Sequence, residues 1–154
     1  MSLIWQVFIM SLLPGLEMKV AIPYAFARGM TLPSAIFWGT LGTLLLTPVA
    51  VWIVWTAETL AYRYIPPLRK LFDWLARRGQ RHAHWIRRYG PVGIFLFIAI
   101  PLPGSGVWTG VILGKLLQLP WNTVLFWSAL GVAGAGITVG LATAGVFQAI
   151  RLVL

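Results

Sequence analysis

Long apolar runs dominate the chain, and the few polar breaks between them organise it. Apolar stretches cover residues 33–57, 91–117 and 119–150. Runs of that length suit helices that cross a bilayer, and they predict an all-α integral membrane protein. Between 58 and 90 the pattern changes. In LRKLFDWLARRGQRHAHWIRRYG, Leu68, Leu71, Phe72, Leu75, His82, Trp85, Ile86 and Tyr89 fall near one stripe of a helix, and Arg and Lys fill the other face. Such a helix lies in the headgroup plane, with its basic face toward anionic lipid.

The breaks repeat. Shifted by 89 residues, Pro14-Gly15 falls on Pro103-Gly104, Phe37-Trp38 on Phe126-Trp127, and Leu41-Gly42 on Leu130-Gly131. Phe8, Ile9 and Leu13 fall on Phe97, Ile98 and Leu102 without a gap. The chain therefore reads as one membrane domain over 1–154, with a first repeat at 3–57, a basic linker at 58–90 and a second repeat at 91–147. Each half has an apolar arm, a Pro-Gly break, a second arm, a Pro-marked loop and a long apolar run.

An arm of about 11 residues, at about 1.5 Å per residue, spans half of a 30 Å hydrocarbon core. Two such arms suit a re-entrant helical hairpin with its tip at the midplane, or one kinked crossing, and length alone does not decide between them. The break chemistry favours the hairpin. Proline ends a helix at the residue before it, and glycine permits a sharp change of direction. With a hairpin and one transmembrane helix in each half, the second half is upside down relative to the first. Such an inverted repeat is a common plan among transporters.

Charge supports the membrane reading. Only 10% of residues are charged, against 59% hydrophobic, and cysteine is absent, so no thiol chemistry is available. Eight of the twelve Lys and Arg lie between 59 and 88. A basic block flanked by membrane segments reads as a cytoplasmic linker and not as a nucleic-acid site. Both termini then lie outside. The N-terminus MSLIWQVFIMSLL lacks the basic start and cleavage site of a signal peptide.

The candidate chemistry sits at the breaks. Glu17 and Lys19 follow the first Pro14-Gly15, where an ionisable group costs about 2.5–3.5 kcal/mol on insertion scales and faces a cavity or a partner. They either neutralise each other or form a substrate and proton site. The second break, PLPGSGVWTG at 101–110, carries Pro101, Pro103, Gly104, Ser105, Gly106, Trp108 and Thr109 but no acid. Its exposed amide groups attract anions, and its glycines permit close helix packing. His82 and His84 have no nearby Cys, Asp or Glu, so neither a metal nor a cofactor is expected. No catalytic set is present, which argues against an enzyme.

PGLEMKVAIPYAFARG and IPLPGSGVWTG resemble the two signature stretches of the putative small multidrug export family, Glu-x-Arg-Gly-Ala-Ile-Pro and Pro-Leu-Pro-Gly-Thr-Gly-x-Trp-Thr-Gly. Glu17 holds the acidic position. Lys19 stands for Arg, Val20 for Gly and Ser105 for Thr. The resemblance covers most of the chain. It implies a distant relation to the DedA (VTT-domain) membrane proteins, which have re-entrant hairpins and are associated with moving phosphate-bearing lipid carriers. The expected function is a multi-pass transporter in the plasma or inner membrane for an amphipathic substrate such as a phosphate-bearing lipid, with possible proton coupling. The alternatives are export of hydrophobic cationic drugs and a non-transporting envelope-maintenance factor. The expected partners are membrane lipids, the substrate and a second copy of the chain in a homodimer.

Overall fold

The computed structural model describes residues 2–64, 70, 88–101 and 105–153, and these are helical without strands. The helices are α1 (Leu3–Leu12), α2 (Glu17–Ala27), α3 (Leu32–Tyr64), α4 (Pro91–Ala99), α5 (Val107–Leu116) and α6 (Trp121–Val153). Two of them are long and apolar enough to cross a membrane, over Leu32–Ala57 and Trp121–Leu152. The amphipathic helix expected in the linker falls almost wholly outside the described residues, as do His82, His84, Pro103 and Gly104.

Local chemistry explains where the helices stop. The Met30 N–H bonds the Ala25 carbonyl, and the Gly29 N–H bonds that of Phe26. This closes α2 in a reverse turn that needs a left-handed residue, and Gly29 supplies it at φ +88°. The same turn closes α5, where Leu119 bonds Gly114 and Gln118 bonds Lys115. Gln118 takes the left-handed position there at φ +57°, a conformation that disfavours a side chain. Proline lies inside two helices, at Pro23 in α2 and Pro48 in α3. Neither can donate to the carbonyl one turn back, so each weakens its helix locally.

The two halves share one plan. α3 and α6 are both 33 residues long, and both start and end 89 residues apart. The turns closing α2 and α5 keep that offset. The first arms do not. A methyl group at Gly42 would collide with Ser11 and sit 3.0 Å from the Phe8 carbonyl. One at Gly131 would sit 2.8 Å from Ile98 and 3.1 Å from the Phe95 carbonyl. Phe8 thus corresponds to Phe95 and Ser11 to Ile98, an offset of 87. The ungapped match of Phe8 and Ile9 with Phe97 and Ile98 is a coincidence of apolar sequence. The break at 100–106 is longer than the break at 13–16, and the extra residues absorb the difference.

Packing repeats with the plan. α1 packs on α2 and both on α3, while α4 packs on α5 and both on α6. The halves join where α3 meets α6, α2 meets α6 and α5 meets α3. Gly136 lies against Thr40, and Gly140 against Ile36. The numbering falls along one helix as it rises along the other, so α3 and α6 run antiparallel. Glycine at these positions lets the backbones approach. Gly110 against Ile98 and Gly114 against Val124 do the same for α5. Gly42 and Gly131 each lie about 15 Å into a helix about 50 Å long, so each break sits about a third of the way along a long helix.

Candidate functional site

The two breaks meet inside the molecule. Glu17 opens α2 with φ +45°, and its side chain is 4% exposed. Its carboxylate accepts the Val107 N–H, at the first turn of α5 in the other half. It lies flat against Gly106, where a methyl group would sit 2.8 and 3.1 Å from the two carboxylate oxygens. Glycine at 106 is what admits the carboxylate. The site of contact is also favourable electrostatically, because the carboxylate faces the positive ends of both α2 and α5.

Lys19 joins the breaks a second time. Its Nζ donates to Ser105 Oγ at 3.0 Å, and Ser105 in turn donates to the Ile100 carbonyl at 2.7 Å. The chain Lys19–Ser105–Ile100 ties the start of α2 to the end of α4. Of the residues expected at the site, Glu17, Lys19, Ser105 and Gly106 therefore come together. Trp108 is half-buried and packs on the core, and its indole Nε1 is buried without a partner among the described residues. Thr109 is exposed. Pro14 and Gly15 form the exposed outer side of the first break, and Pro101 lines a groove described below.

The sequence reading missed Thr43. The Met18 N–H donates to Thr43 Oγ1 at 3.0 Å, and that hydroxyl lies 3.2 Å from both the Ser11 and the Gly39 carbonyls. Thr43 thereby satisfies the start of α2 and ties it to α1 and α3. The matching position in the second half is Val132, which has no oxygen to offer. The start of α5 is satisfied by Glu17 instead. The acid thus supplies across the interface what a threonine supplies within the first half. The spacing of Thr40, Thr43 and Thr47 along one face of α3 is the signal that would have found it.

Two cavities flank this centre. One, of about 380 Å³, lies between α2 and α6 and is walled by Lys19, Pro23, Pro101, Thr143, Val146 and Phe147 among others. The second, of about 230 Å³, lies between the middle of α3 and the start of α6, among Pro48, Trp52, Trp55 and Trp121. Beside it the Lys115 ammonium sits 4.6 Å from the centre of the Trp55 ring. Among the described residues, no group of three or more His, Asp or Glu gathers to hold a metal.

Two apolar helices of membrane-crossing length, with paired polar breaks packed beside them, fit a helical membrane protein. The chain belongs to the family described as putative small multi-drug export protein, whose model matches residues 17–138. Its class is accordingly a membrane exporter. Comparison with the curated proteins and with the solved structures gives no match.

Proposed function

We propose that the protein carries an amphipathic, phosphate-bearing substrate such as a lipid carrier across the plasma or inner membrane, with protons coupled to the movement. The halves act as an inverted repeat. Each is a re-entrant hairpin plus one crossing, in the manner of the DedA proteins. The observation that carries this reading is the 3.0 Å contact of Lys19 with Ser105, which sets a cation of one break against the other break inside an apolar bundle. Antiparallel α3 and α6, with a break about 15 Å along each, support the inverted arrangement. Irregular backbone at membrane depth needs protein or a wet cavity around it. A substrate phosphate takes over Lys19 from Ser105, the second break loosens, and Glu17 takes up a proton as it leaves Val107.

The test is flux in liposomes with and without a pH gradient, for the wild type and Glu17→Gln. Glutamine still accepts the Val107 N–H, so the variant keeps its fold. It is expected to lose the pH response of transport. Equal flux with an equal pH response in both proteins would show that Glu17 is a structural cap and nothing more.

A further inference from the structure

The groove between α2 and α6 has a property that the paired breaks do not require. It is walled by apolar side chains of α6, among them Val146 and Phe147, and Phe147 stacks edge-on against Phe26 at 4.9 Å between ring centres. Thr143 is buried in this wall, with its hydroxyl committed to the Val139 carbonyl at 2.7 Å. Lys19 is the ionisable residue that lines the groove. Glu17 does not line it; its carboxylate is turned onto Gly106 and Val107. Lys19, on which the Glu17 carboxylate also acts, is thus the charge that a ligand in this groove touches. In an apolar setting, where a unit charge is costly unless paired, the sign of the nearest side chain decides the sign of the ligand. The volume of about 380 Å³ falls in the range of sites for small organic molecules, roughly 300–1,000 Å³.

We propose that the groove between α2 and α6 binds the apolar body of a lipophilic anion, with Lys19 holding the anionic group at its inner end. The proposal rests on the reading of the breaks as a substrate site for an anion, and it adds the groove that holds the apolar body, its size and the path of entry. The substrate enters sideways, between α2 and α6, and it is an anion. The aromatic cavity beside Lys115 is not needed for it. Anions with a compact apolar body fit the groove, and lipophilic cations of the same shape are rejected at Lys19.

Tetraphenylborate and tetraphenylphosphonium test this directly, because they share one shape and differ in sign. Titration calorimetry on the detergent-solubilised protein, with empty micelles as blank, reads both. Saturable binding of the borate, at least about tenfold tighter than the phosphonium, is expected. Lys19→Gln should weaken the borate about tenfold, and Lys19→Arg should restore it. Val146→Trp fills the groove from an exposed position, so it should leave the fold intact and weaken the borate as well. Equal binding of the two ions, or preference for the phosphonium, overturns the proposal. So does borate binding that is unchanged in Val146→Trp. If lipid flux is absent in liposomes while borate binding keeps this pattern, the phosphate-lipid reading falls and the groove stands. If flux is present without the binding pattern, the groove falls alone.

Discussion

At the scale of single residues, the centre is a problem of bare helix starts solved in two different ways. Met18 and Val107 open equivalent turns, and each amide needs an acceptor inside an apolar bundle. Thr43 answers the first and Glu17 the second. Glu17 was legible from the sequence as a buried acid, but its partner was not. Its neighbour in space, Gly106, lies 89 residues away, and sequence spacing does not reveal contacts between the two halves. Gly106→Ala tests the arrangement. The added methyl sits 2.8 Å from one carboxylate oxygen and 3.2 Å from its carbon, so the carboxylate must shift, and its bond from Val107 is expected to weaken or break. An unsatisfied buried amide costs about 1–3 kcal/mol. Thermal unfolding in detergent should show that loss, while Gly145→Ala, where no atom lies within 4 Å, should be neutral or slightly stabilising.

At the scale of elements, the sequence showed the helices and their lengths better than their register. Both long runs appear as 33-residue helices, and the Pro-marked loops fall where expected. The match of Phe8 with Phe97 failed because Leu, Ile and Phe recur by chance in an apolar chain, whereas Pro-Gly and Phe-Trp pairs do not. The turn chemistry was legible only in part. Gly29 announces the end of α2, but nothing about Gln118 announces that it performs the same task. Gln118→Gly relieves a left-handed side chain and should stabilise the protein by up to about 1 kcal/mol, while Gly29→Ala should destabilise it by about as much. Chemical unfolding followed by tryptophan fluorescence reads both. The same two turns report topology. Since α3 and α6 run antiparallel, the loops before them lie at opposite ends of the bundle. Met30→Cys and Gln118→Cys, each on the cysteine-free background, should be labelled by an impermeant thiol reagent from opposite sides of the membrane. Labelling of both from the non-cytoplasmic side would replace each hairpin with a kinked crossing.

At the scale of the whole molecule, the bundle leaves its first break uncovered. Residues 13–16 are exposed, with Leu13 at 45% and Leu16 at 37%, although Ser11 and Gly42 place this break about 15 Å in from the start of α3, which is half the thickness of a 30 Å hydrocarbon core. Irregular backbone at that depth does not face lipid; it is covered by protein or opens to water. Apolar side chains on both sides of Pro14-Gly15 suit protein better than water. Exposed Trp5, Ile9 and Val20 extend the same surface along α1 and α2. We propose a second copy as the cover, because most soluble homo-oligomers are symmetric and a self-complementary face then closes on itself. Leu16→Cys is therefore expected to form a disulfide-linked dimer when membranes are treated with a mild oxidant. Leu141→Cys, equally apolar and 65% exposed on α6, should not. Leu13→Asp, which places a charge in that face, should convert the purified protein to a monomer by light scattering and reduce flux. A wild-type protein that is monomeric in mild detergent and active after reconstitution, with no cross-link at Leu16, would mean that the first break is covered by water or by residues of its own chain.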